Sequence, residues 1–193
     1  MDNRTLIAIV IAAVVLIVVG ALLATSRKRR SMRLRERFGP EYEQVLLQQG
    51  DVRHAEAVLA DREKRVGKFT IRSLSRADRD RYAADWANVQ RRFVDDPAMA
   101  VSEADALLTH VMAARGYPMA DFEQRAADIS VNYPAVVQNY RAARVIVVRH
   151  GAGQSNTEDL RQAMVHYRSL FEELLDAPRA EVAADLVHER IAS

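Results

Sequence analysis

The hydrophobic pattern divides the chain sharply. Residues Leu6 to Ala24, LIAIVIAAVVLIVVGALLA, are 19 consecutive positions without a charged or strongly polar side chain. A helix rises about 1.5 Å per residue, so this run covers about 28 Å, close to the hydrocarbon thickness of a bilayer. A core helix of a water-soluble domain would carry a polar stripe, and this run has none. It predicts a transmembrane helix over residues 6–24, preceded by a short tail at residues 1–5.

After the apolar run the pattern becomes periodic. Gly39-Pro40 breaks the chain, Glu41 to Gln49 reads as a short amphipathic helix ended by Gly50, and Asp51 to Val66 reads as another. The second has Val52, Ala55, Leu59 and Val66 on one thin face. It suits a peripheral stalk, and about two heptads are too few to argue for a coiled coil. VGKFTIRSLSRAD then leads into a domain at residues 75–193.

That domain reads as about five helices. Ser75 with Asp78 starts the first, with Tyr82, Trp86, Val89 and Phe93 at helical spacing. Asp96 caps the next and Pro97 opens it. Its buried face is Val101, Ala104, Leu108, Val111 and Met112, and Gly116 with Pro118 ends it. A short helix spans about Met119 to Ile129, with Phe122, Ala126 and Ile129 inward. Another, opened by Pro134, carries Val137, Tyr140, Arg144 and Val147 or Val148. Asn156 and Thr157 cap the strongest, with Leu160, Met164, Tyr167, Phe171 and Leu174 in one stripe. Pro178 precedes a mostly polar final helix bearing Val182 and Leu186. The expected fold is all-α: a transmembrane helix, a basic linker with stalk helices over residues 25–74, and a compact helical bundle. Aromatic and Met residues at this spacing are expected to be core, with no cofactor.

Charge changes the picture in one place. The chain carries a formal charge of +2, with 28 basic and 26 acidic residues. Seven of the basic residues, Arg27, Lys28, Arg29, Arg30, Arg33, Arg35 and Arg37, form a collar directly after the apolar run. From Phe38 onward 20 basic residues face 24 acidic ones, a formal charge of −4. A mildly acidic domain is a poor polyanion binder, so nucleic acid is not expected as a partner. Basic residues flanking a span stay in the cytoplasm, which orients the N-terminus outward and the domain inward. The collar is also expected to attract anionic headgroups, by about 1 kcal/mol per basic residue near the surface. A cleaved signal peptide is the competing reading. Ala24-Thr25-Ser26 resembles a cleavage site, but the RKRR that follows opposes export. Gly20 and Ala24 form a small-xxx-small pair, which allows self-association without predicting it.

Several stretches, RFGPEYE, RYAADWANVQRRFVDDPAMAVSEAD, VMAARGYPMADFEQRAADISVNYPAVVQNYR and TEDLRQAMVHYRSLFEELL, resemble an uncharacterised family of bacterial proteins. Its members carry an N-terminal hydrophobic segment, serving as membrane anchor or secretion signal, and a helical C-terminal region. The resemblance covers roughly Arg37 to Leu175. It implies a bacterial helical protein that is membrane-anchored or secreted, and brings no activity, ligand or catalytic residue with it.

The chemistry that can be read is sparse. Cysteine is absent, which excludes disulfides, thiolate metal sites and thiol catalysis. VIVVRHG, ending in Arg149-His150-Gly151, resembles the strand-then-Arg-His-Gly start of the histidine phosphatases. That family needs a parallel α/β sheet, a second His and further Arg residues after the motif. Here the later histidines, His166 and His188, fall in helical stretches, and no alternation of strands and helices precedes the motif. The alternative reading makes Val136 to Arg149 one helix, with Arg149 and His150 at its negative end and Gly151 as its stop. His54 and His110 have no partner at metal-ligand spacing, and no glycine-rich phosphate loop is present. The expected function is therefore a non-enzymatic adaptor or scaffold, anchored in the inner membrane and acting through a protein partner. Phosphate-ester chemistry at His150 and an exported helical domain are the alternatives.

Overall fold

The structure is a computed structural model that describes residues 3–176, with the side chains of residues 3–15, 23 and 24 outside that description. The described residues form eight helices and no strand. They are α1 (Asn3–Phe38), α2 (Pro40–Gln49), α3 (Val52–Val66), α4 (Arg76–Asp95), α5 (Pro97–Ala114), α6 (Phe122–Asn132), α7 (Val137–Gly151) and α8 (Thr157–Asp176). The chain divides into two compact units, residues 1–60 and 61–193. The all-α expectation holds. The final helix expected after Pro178 lies outside the described residues.

Among the described residues no helix is long and apolar enough to cross a membrane. Most of the run expected to do so, residues 6–15 with 23 and 24, lies outside the described side chains. What is described is one unbroken backbone helix from Asn3 to Phe38 that carries the apolar run and the basic collar together.

In the first unit, Gly39 and Gly50 turn the chain at φ +47° and +69°, a left-handed region that glycine enters without steric penalty. Pro40 occupies the first turn of α2, and the Gly50 amide closes it on the Leu46 carbonyl. Asp51 Oδ2 accepts the His54 amide at 3.0 Å and so caps α3. That hydrogen bond lowers the Asp51 pKa, because it favours the carboxylate. Leu34, Phe38, Tyr42, Val45, Ala55 and Leu59 are buried, and Val52 is 41 % exposed.

The second unit holds the bundle. Ser75 Oγ accepts the Asp78 amide, Asp96 accepts Met99 and Asp121 accepts Gln124, each capping a helix. Asn156 and Asp159 exchange side-chain-to-amide bonds at 3.0 and 2.9 Å at the start of α8. Helix α5 packs on α4 and α8, and α7 packs on α8 and α6. Trp86 stacks on Phe171 with centroids 4.7 Å apart, and Tyr140 lies 6.1 Å from Tyr167. The expected stripes are buried throughout α5 and α8; on α4 Phe93 is only partly so. On α7, Val148 is exposed and Val147 packs on the core.

Two helices start later than their sequence patterns indicate. Helix α6 begins at Phe122, not near Met119, because Asp121 supplies the cap and residues 117–121 are non-helical. Helix α7 begins at Val137, after a turn over residues 134–136.

Tertiary hydrogen bonds join distant helix ends within this unit. The Arg72 amide donates to the Arg115 carbonyl at 2.9 Å, and Arg115 Nη1 donates to the Leu174 carbonyl at 2.8 Å. Arg115 is 4 % exposed, so a buried guanidinium closes the last turn of α8. Gly116, at φ +95°, lets residues 70–72 pass close by. A Cβ there would lie 2.3 Å from the Thr70 carbonyl oxygen.

Candidate functional site

The collar is helical from end to end, and Arg27, Lys28, Arg29, Arg30, Arg33, Arg35 and Arg37 are all exposed. At 100° per residue the cations fall on every side of α1. One face is different. Arg27, Ser31, Leu34 and Phe38 follow at spacings of four, three and four, and Leu34 and Phe38 are buried. The inward face of α1 is thus apolar near Phe38 and turns polar two turns earlier.

At that transition the first unit opens a cleft of about 490 Å³. Arg27, Lys28, Arg30 and Ser31 line it from α1, and Val52 and Arg53 from α3. Glu56 also reaches the cleft and accepts the Tyr42 hydroxyl at 3.1 Å. Arg35 lies 5.0 Å from the centroid of the Tyr42 ring, and hydrogen bonding to Tyr42 raises its pKa. Arg29, Arg33, Arg35 and Arg37 are not part of the cleft wall. Arg53 is, although nothing in the linear pattern groups it with the collar. The signal that could have found it is the register of Val52, Ala55 and Leu59 on α3, set against Arg27, Ser31, Leu34 and Phe38 on α1.

The Arg149-His150-Gly151 stretch forms the last turn of α7, not the end of a strand. His150 Nδ1 sits 3.0 Å from Ser155 Oγ, and Arg149 donates to the Gln154 carbonyl at 3.0 Å. Gly151 is still helical, which corrects the expectation that it ends the helix. The stop is Gly153, at φ +70°. Its amide bonds the His150 carbonyl and the Gln154 amide the Arg149 carbonyl, both at 2.8 Å, the paired pattern of a left-handed helix stop. His166 lies in α8, with Nδ1 3.2 Å from Asn139 Oδ1, and is not brought to His150's hydrogen-bonded group. Among the described residues no three His, Asp or Glu side chains are grouped to hold a metal ion.

The second unit has a smaller hollow of about 190 Å³ between α4 and α8. Trp86, Phe93 and Met164 form its apolar wall, with Val165 half exposed at the edge. Arg161 and Arg168 flank it, tied to Glu158 and Glu172 at 2.7 Å. The Arg161 guanidinium holds the Glu158 carboxyl down at about 2. Deeper in the bundle, Asp105 Oδ1 and the Tyr167 hydroxyl are buried without a well-formed hydrogen bond. Burial first, and then the nearby Asp105 carboxylate, raise the Tyr167 pKa. Asp128 is buried and paired: Arg65 Nη2 lies 2.8 Å from its Oδ1, and Gln124 donates to the same oxygen.

No family model, curated protein or solved structure matches the chain.

Proposed function

We propose that the protein is a single-pass, membrane-anchored helical adaptor. Helix α1 crosses the bacterial inner membrane with the N-terminus outside, and the bundle sits in the cytoplasm and acts by binding a protein partner. One observation carries this reading. Leu16, Ile17, Val18, Val19 and Leu22 occupy successive directions around α1, and all are exposed, between 46 % and 72 %. Among the described residues no protein face covers them, so the apolar medium they require is one outside the chain. The same helix continues directly into the basic collar, where positive charge retains a segment on the cytoplasmic side.

The adaptor half of the reading is supported by the α4–α8 hollow. Its apolar wall, flanked by the Arg161–Glu158 and Arg168–Glu172 pairs, suits a partner that presents an apolar side chain. Cell fractionation tests the anchor: the full-length chain is expected in the inner-membrane fraction, and recovery in the soluble fraction would contradict it. In-cell crosslinking tests the adaptor role, with a discrete protein partner as the expected result. A purified protein that hydrolyses phosphate esters, and loses that activity on His150→Ala, would overturn the non-enzymatic reading.

A further inference from the structure

The cleft in the first unit has a composition that diffuse collar charge does not explain. Four cations, Arg27, Lys28, Arg30 and Arg53, converge on it from two helices whose contributing residues lie more than twenty positions apart in sequence. None of the four is in an ion pair among the described residues. The one carboxylate in the wall, Glu56, already accepts the Tyr42 hydroxyl. Like charges gathered round one hollow repel each other, and an anion between them removes that repulsion. Guanidinium groups pair with phosphate oxygens through two parallel hydrogen bonds, Lys28 adds a point charge, and the Ser31 hydroxyl can donate a further bond.

Position selects the source of the phosphate. Arg27 follows Ala24 by three residues, about 4.5 Å along the helix axis. The cleft therefore lies within one or two turns of the end of the apolar run, at the depth of lipid headgroups if α1 spans the bilayer. Val52, 41 % exposed, adds an apolar surface to the wall, which suits the glycerol and upper acyl region of a lipid and has no use for a free ion.

We propose that the cleft formed by Arg27, Lys28, Arg30, Ser31, Val52 and Arg53 binds the phosphate headgroup of an anionic phospholipid. This rests on the membrane-anchored reading and adds a defined, saturable site to it. Arg53 from α3 is the residue that turns a basic segment into a pocket.

The test uses the full-length protein in a neutral detergent, titrated separately with short-chain phosphatidylglycerol, short-chain phosphatidylcholine and inorganic phosphate. Arg53→Gln and Arg29→Gln remove the same charge, but only the first removes a wall of the cleft. The expected result is saturable phosphatidylglycerol binding, weakened about tenfold by Arg53→Gln and less than about twofold by Arg29→Gln. Arg53→Lys, which keeps the charge and loses the planar fork, is expected to fall between them. Equal losses for the two Gln variants would overturn the site in favour of diffuse attraction. Phosphate binding as tightly as phosphatidylglycerol would overturn the lipid assignment, and so would equal binding of phosphatidylcholine. An unchanged thermal midpoint for both variants verifies that the fold is intact. Flotation of the protein with membranes in a sucrose gradient tests the anchor separately. A chain that floats yet shows no lipid selectivity contradicts the pocket alone, and a chain that does not float contradicts the anchor.

Discussion

Helices α1 and α8 are both rich in apolar residues and treat them in opposite ways. In α8, Leu160, Ala163, Met164, Tyr167, Leu170, Phe171 and Leu174 lie along one stripe and are buried against α5 and α7. Its other face carries charges paired within the helix, such as Arg168 with Glu172. In α1, Leu16 to Val19 and Leu22 point in all directions and stay exposed. A stripe is solved by neighbouring helices of the same chain, whereas a helix apolar on every side needs an apolar surrounding that no single neighbour supplies. The contrast separates a helix whose apolar residues the bundle covers from one whose described apolar residues stay uncovered, the property on which the proposed anchor rests.

The largest way to stress the α8 side of this contrast is alkaline pH. Tyr117, Tyr133, Tyr140 and Tyr167 all have raised pKa values, each chiefly because burial disfavours the phenolate. Tyr117 is pushed up to about 12 from its ordinary 10.0. The unfolded chain ionises first, so the stabilisation is complete below the unfolded value and is lost as pH rises through the folded one. Thermal midpoints followed by circular dichroism are expected to hold up to about pH 10 and fall steeply towards about pH 12. A flat profile would show that these phenols are solvated.

Next in size is a matched pair. Leu170→Ala is expected to destabilise the bundle by about 3 kcal/mol, because Leu170 is fully buried and a core closes only in part over a truncated leucine. Leu16→Ala is expected to leave the same unfolding transition unchanged, and an equal loss would break the contrast. Conversely, Leu16→Arg costs about 3 kcal/mol of insertion at the centre of a span and is expected to release the chain from membranes.

Gly116→Ala is expected to cost about 2 kcal/mol in chemical denaturation, from left-handed strain alone. The clash with the Thr70 carbonyl adds to it unless residues 70–72 detach. His150→Ala is the smallest change. It removes one hydrogen bond to Ser155 at a helix end and is expected to cost less than about 1 kcal/mol, with no other measurable loss.

The sequence pattern carried the bundle well because its signals are local. Ser75, Asp96 and Asn156 cap helices where short polar side chains precede apolar periodicity, and the stripes of α5 and α8 are buried as their spacing requires. It misjudged ends decided by competition between neighbouring candidates. Gly151 and Gly153 are both able to stop α7, and only the second takes up the left-handed conformation. Asp121 and the residues before it compete in the same way for the start of α6. It was blind to groups joined only by tertiary structure. Arg115 closes α8 from 59 positions away, and Arg53 meets the collar only because the glycine turns return the chain towards α1. Neither has a periodicity to announce it.

The absence of cysteine from the chain makes the most direct test of the anchor simple. Single cysteines at Asn3 and Gln154, in separate variants of the full-length protein, can be challenged with a membrane-impermeant maleimide in intact cells. If α1 spans the membrane with the collar inside, Asn3→Cys is labelled in intact cells and Gln154→Cys only after permeabilisation. Labelling of Gln154→Cys in intact cells, or of neither variant until the membrane is opened, would contradict that orientation.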